Sequence, residues 1–143
     1  MASEANVGSV SEAGMVTLFV ELLRSGRSPW GGVGVLQEFG YLRGRTDVVV
    51  TTKDAVIAFE AKLTNWRRAL DQAYRNTCFA GLSYVLLPPE RAKFVMKYVG
   101  EFEERGIGLC CINNGQLDIL YASQPREPVE PWLTEQARGL ADA

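Results

Sequence analysis

Apolar residues first recur at helical spacing. Met15, Leu18, Phe19, Leu22 and Leu23 lie three and four apart, behind Ser11 as a capping residue and ahead of Gly26 as a stop. At 100° per residue Glu12 falls on the inward stripe with Met15, Phe19 and Leu23, whereas Glu21 falls on the solvated side. Past the Ser28-Pro29-Trp30-Gly31-Gly32 break, Val33 to Phe39 reads as a strand, followed by a Gly-rich connection to Arg45. Two β-prone runs come next, Thr46 to Thr51 and Ala55 to Lys62, joined at Lys53-Asp54 as an antiparallel hairpin. Trp66 to Phe79 is helical, with Trp66, Ala69, Leu70, Ala73 and Thr77 on one side. Ser83 to Leu87 is a short strand ended by Pro88-Pro89, and Glu90 to Arg105 is a second outer helix. Ile107 to Ile112 and Gln116 to Tyr121 flank Asn113-Asn114-Gly115, a hairpin turn signal.

The order helix, three strands, helix, strand, helix, hairpin predicts an α/β domain with one mixed sheet flanked by helices. The central hairpin supports this: Val49, Val56 and Ala58 on one side and Val48, Val50, Ile57 and Phe59 on the other are all apolar, as in a sheet covered on both faces. The expected organisation is a frayed tail over residues 1–10, the domain over 11–123, and a proline-broken C-terminal tail over 124–143 with a short helix around Trp132. A chain of 143 residues suits one domain, and its 47% hydrophobic and 22% charged content is that of a globular protein.

No apolar run approaches a membrane helix and the N-terminus lacks a signal-peptide pattern, so a cytoplasmic protein with no membrane partner is expected. Cys78, Cys110 and Cys111, odd in number, read as core residues in a reducing compartment. The sequence contains no histidine, which excludes histidine triads and histidine-ligated zinc. Any catalysis must run on carboxylates, lysine or metal. The net charge of -2 gives no global attraction to nucleic acid, yet between Leu22 and Arg75 nine basic residues stand against five acidic ones.

With a two-residue loop at Lys53-Asp54, Thr52 faces Ala55 and, counting back along both strands, Asp47 faces Glu60. Facing residues share a side of the sheet with Cβ atoms roughly 5 Å apart, and Lys62, two along from Glu60, joins them. Left alone, such carboxylates repel. A divalent cation with oxygen ligands removes that cost, can acidify water and can neutralise phosphate charge, while Lys62 can stabilise a transition state. Read without reference to a family, Asp, Glu and Lys at strand ends also suit solvated or ion-paired edge positions.

Arg45-Thr46-Asp47, followed by Glu60-Ala61-Lys62, resembles the signature of the PD-(D/E)XK nuclease superfamily over about Ser11 to Pro88, element order included. Thr46 stands where the motif has proline. The resemblance implies Asp47 and Glu60 as ligands of Mg²⁺ or Mn²⁺, the Ala61 backbone carbonyl as a third, Lys62 as the catalytic lysine, and an acid from the first helix, Glu12, with Glu38 as its rival. Gln72 matches one exonuclease-like branch, where Asn76 replaces tyrosine. The implied activity is metal-dependent endonucleolytic hydrolysis of DNA, with RNA open alongside it. The small size of the chain, which leaves little surface for reading sequence, adds the expectation of a structure-selective or partner-directed form with a homodimer or partner protein. Arg45, Arg67, Arg68, Gln72 and Arg75 are candidate DNA contacts. Trp30 suits the core better than base stacking, and no phosphate-binding glycine loop is present. The alternative is a catalytically inactive module of the same fold for DNA binding or protein interaction.

Overall fold

A computed structural model describes residues 11–141; the tail expected over Met1 to Val10 lies outside the described residues. Helix α1 (Glu12–Arg24) starts where Ser11 accepts the Gly14 N–H at 3.0 Å, and it ends before Gly26 at φ +77°. It buries Met15, Phe19, Leu22 and Leu23 of the predicted stripe together with Val20, whereas Leu18, expected on that stripe, is half exposed.

Six strands follow one another across a single mixed sheet: β1 (Gly34–Tyr41), β2 (Gly44–Thr51), β3 (Val56–Ala61), β4 (Leu82–Leu86), β5 (Gly108–Asn113) and β6 (Gln116–Tyr121). The first three form an antiparallel meander, β3, β4 and β5 run parallel, and β6 returns antiparallel. The β2–β3 register is the one counted from the sequence, with Thr51 opposite Val56 and Val48 opposite Phe59. The turn at Lys53-Asp54 is closed by Thr52, whose N–H reaches the Ala55 carbonyl and whose hydroxyl accepts from Asp54 and Ala55. Asn114 and Gly115, at φ +54° and +74°, make the tight β5–β6 turn. Strand β1 runs two residues further than expected, and a two-residue Leu42-Arg43 turn replaces the longer connection to Arg45.

Helix α1 covers one face through Val48, Val50, Ile57, Phe59, Tyr84 and Leu86, with Trp30 packed edge-on against Phe59 and Tyr84. The other face carries α2 (Trp66–Arg75), α3 (Pro89–Val95) and α4 (Val99–Arg105), packed on Val85, Leu87, Leu109 and Cys111. Tight 3-10 turns interrupt both expected outer helices, at Asn76–Cys78 and at Met96–Tyr98. The second break coincides with Tyr98, Val99 and Gly100, all weak helix formers, and it stacks Tyr98 on Trp66 at 5.4 Å. The three cysteines are buried free thiols. No helix among the described residues is long and apolar enough to cross a membrane.

The segment expected as a C-terminal tail carries helix α5 (Pro131–Leu140), longer than the short helix anticipated around Trp132. Its Leu133 and Ala137 are buried with Phe39, Val49, Ala58 and Phe79, so it completes the cover on this side of the meander. Leu133→Ala should therefore cost about 2–5 kcal/mol in urea denaturation, the range for a truncated core leucine. A cost below about 0.5 kcal/mol would return this segment to a solvated tail.

Candidate functional site

The site forms where β2 and β3 part. Their ladder ends at Val48 opposite Phe59. One residue on, the Asp47 side chain accepts the Ala61 N–H through Oδ2 at 2.8 Å, so a carboxylate satisfies the β3 backbone at this point. On its other flank, Asp47 lies opposite Glu38, between the pairs Gln37–Val48 and Phe39–Thr46. Three acids from three neighbouring strands thus lie in a row: Glu38, Asp47 and Glu60.

Glu38 is not in ordinary strand geometry. Its φ of +54° puts a non-glycine residue in the left-handed region, which costs about 1–3 kcal/mol. The pleat slips here. Leu36 and Phe39, three apart, both pack with Val49 and Phe79. Opposite them, Val49 packs in that same cluster, and the buried Thr46 reaches Asn76 on the same side. Regular alternation would send residues three apart to opposite faces. The slip leaves half-buried Asp47 in neither apolar layer, at the mouth of a cleft.

Glu60 is 1% exposed. Its Oε2 accepts the Asn76 amide at 2.7 Å and lies 3.5 Å from the Arg75 guanidinium. Burial, reinforced by the neighbouring Asp47 charge and hydrogen bond, pushes its carboxyl up to about 8 against the opposing pull of Asn76 and Arg75. Oε2 is thus the oxygen that faces N–H donors, from Asn76 and Arg75. Lys62 reaches the same cleft, its Nζ 4.0 Å from Glu12 Oε1, while Glu12 Oε2 accepts the Leu63 N–H at 3.3 Å. Glu12 thus spans from the first turn of α1 to the end of β3, as an acid is favoured to do near a helix N-terminus.

A cavity of about 340 Å³ is lined by Glu12, Glu38, Arg45, Asp47, Glu60, Lys62, Gln72 and Arg75. The fold therefore gathers the two strand acids, the lysine, both rival acids and three of the five candidate contacts around one space. Glu12 adjoins Lys62, whereas Glu38 pairs with Arg45 at 2.8 Å. Gln72 carries a buried carbonyl oxygen with no hydrogen-bond partner. Arg68 lines an adjoining trough with Asn65, Asp71, Gln72 and Arg75. Arg67 is placed elsewhere: it grips Glu101 at 2.7 and 3.1 Å and lies over the Trp66 ring. Among the described residues no three Asp, Glu or Cys side chains form a ready-made metal cage, so an ion here would rest on two carboxylates and complete its shell with other oxygens.

Reasoning from sequence named Arg75 only as a nucleic-acid contact and missed the group that it forms behind Glu60 with Asn76, Tyr41 and Thr46. Arg75 is nested against Gly44, whose φ is +145° and where an added Cβ would meet the guanidinium. From there it donates to the Arg45 carbonyl at 2.7 Å and to the Tyr41 hydroxyl at 3.1 Å. The one sequence signal for this group was the amide at Asn76, four residues after Gln72. Tyr41 and Thr46 carried none, because only the pleat slip brings them there.

No family model matches the chain, and no curated protein matches it. Its fold is similar to that of the SPO1766 protein of unknown function from Silicibacter pomeroyi, with a TM-score of 0.57 and 15% identity over 92% of this chain and 90% of that one. At that identity the likeness concerns the fold alone.

The Glu60 proton has a consequence for stability. The folded protein keeps it up to about pH 8, whereas a carboxyl at its ordinary value of 4.5 releases it far earlier. The contribution is therefore complete below about pH 4.5 and is lost as pH rises through 8. Without divalent ions, the difference in melting temperature between wild type and Glu60→Gln should move against the wild type across that window. A difference independent of pH would show that Glu60 titrates normally.

Proposed function

We propose that the chain is a Mg²⁺- or Mn²⁺-dependent nuclease that hydrolyses phosphodiester bonds in DNA at the cleft between β2 and β3. The observation that carries the reading is the convergence of Asp47, buried Glu60 and Lys62 on one cavity, with Glu12 beside the lysine. The residues fit a small hard cation on two counts. The buried Glu60 carboxyl beside Asp47 is pushed up to about 8, so that added positive charge would favour its ionised form, and Gln72 supplies a buried oxygen without a donor.

Asp47 and Glu60, with the Ala61 carbonyl, would hold the ion, whose chemistry when bound is to acidify water and polarise the phosphate. The protein's own groups do the rest. Lys62, kept in place by Glu12, directs an ammonium at the phosphoryl oxygens, where negative charge grows in the transition state. Arg75 and Gln72 continue from the cavity into the trough lined by Arg68, giving a nucleic-acid backbone a polar course along α2. So small a domain has little surface for reading sequence, which favours structure-selective or partner-directed cutting of DNA, with RNA as a further substrate to test.

One observation favours a noncatalytic binding module instead: Asn76 and Arg75 already satisfy one Glu60 oxygen, so the acid pair is accommodated without an ion. Supercoiled, linear, branched and single-stranded DNA, and single-stranded RNA, incubated with Mg²⁺ or Mn²⁺ separate the two. Wild type should cut at least one substrate, and Lys62→Ala and Asp47→Ala should each lose roughly 100-fold or more. Cutting that survives both substitutions would remove these residues from the site. Binding of nucleic acid without cutting would establish the module.

A further inference from the structure

We propose that Asn76 is a positioning residue that leaves Glu60 only one oxygen for a cation, and so tunes the cavity to a small octahedral ion such as Mg²⁺ over Ca²⁺. The inference rests on the metal-dependent reading above and adds to it a determinant of which cation is held.

The hydrogen bonds behind Glu60 can run in only one direction. Arg75 has donors and no acceptor, so the Tyr41 oxygen must accept from its Nε at 3.1 Å. The Tyr41 hydroxyl proton then goes to Asn76 Oδ1 at 2.6 Å. Thr46 donates to the same Oδ1 at 2.8 Å, and both Thr46 and Asn76 are 0% exposed. With two hydroxyl protons aimed at Oδ1, the amide cannot turn over, and Nδ2 must donate to Glu60 Oε2 at 2.7 Å. Burial pushes the Tyr41 hydroxyl up to about 12, so it remains a donor at every working pH.

With Oε2 held by the Asn76 amide and faced by the Arg75 guanidinium at 3.5 Å, Oε1 is left as the free ligating atom. Ca²⁺ accepts six to eight oxygens and commonly takes a carboxylate through both of its own. Mg²⁺ demands a near-octahedral shell of single oxygens and keeps several waters. A Glu60 restricted to one oxygen therefore suits the smaller ion, and partners behind a ligand of this kind set metal affinity by roughly 10–100-fold. Gly44 matters to the same end, because it admits the Arg75 guanidinium that sets the direction of the chain.

The test is calorimetric titration of the full chain with MgCl₂, MnCl₂ and CaCl₂, without nucleic acid. Wild type should bind Mg²⁺ and Mn²⁺ in preference to Ca²⁺. Asn76→Ala, which removes the amide donor from Oε2, should lower Mg²⁺ affinity roughly 10–100-fold while Ca²⁺ affinity holds or rises. The double variant Tyr41→Phe with Thr46→Val, which keeps the amide but unlocks it, should move the ratio in the same direction, and it decides the matter if Asn76→Ala fails to fold. Mg²⁺ and Ca²⁺ affinities that are unchanged, or that fall in equal proportion, would overturn the positioning role alone. Wild-type preference for Ca²⁺ would do the same. Wild type that binds none of the three ions would overturn the metal-dependent reading and this inference with it.

Discussion

A carboxylic acid buried next to another acid is the constraint around which this end of the molecule is organised. Glu60 is almost wholly removed from solvent on a central strand, with Asp47 as its neighbour across the gap between β2 and β3. An unpaired buried charge of this kind costs several kcal/mol, so the group either keeps its proton or acquires compensating positive charge. Here it does both in part. Asn76 and Arg75 supply N–H donors to one oxygen, and burial beside Asp47 holds the carboxyl up at about 8. Unfavourable electrostatics of this size is what the proposed cation would relieve.

The surrounding fold is shaped to sustain that arrangement. Helix α2 ends at Arg75, and the tight turn that follows begins at Asn76, so the two donors arrive from consecutive residues at one helix terminus. Gly44 opens room for the guanidinium, the strained Glu38 shifts the pleat, and Asp47 replaces a carbonyl as acceptor for β3. These three departures from regular sheet geometry lie within a few residues of the cavity. The strands away from it, from Val48 to Thr51 and from Val56 to Phe59, pair regularly and are buried on both faces. Local strain concentrated at one place and offset by a well-packed remainder is the pattern expected of a functional site.

Hydrophobic periodicity was enough to place the elements, because the apolar stripe of α1 and the two-sided burial of β2 and β3 leave few alternatives for what must face the core. It was weaker wherever a local preference gave way to a tertiary contact. Helical spacing from Glu90 to Arg105 did not reveal the turn that stacks Tyr98 on Trp66, and the proline-broken tail gave the helix around Trp132 but neither its full length nor the burial of its Leu133. The three arginines of α2 looked equivalent in sequence. In the fold Arg67 is committed to Glu101, Arg75 to the backbone around Gly44, and Arg68 to the trough beside the cavity.

By itself, then, the amino-acid sequence determined the α/β class, the meander and its register, and the neighbourhood of Asp47, Glu60 and Lys62, because pleat and turn length are local properties that propagate along a strand. Only the tertiary structure decided that Glu38 slips the pleat, that Tyr41, Thr46 and Asn76 meet behind Glu60, and which Glu60 oxygen accepts the Asn76 amide. Those outcomes depend on side chains some thirty residues apart sharing one buried space, where each polar group must find a partner. That pairing is settled by packing geometry and leaves no periodic trace in the chain.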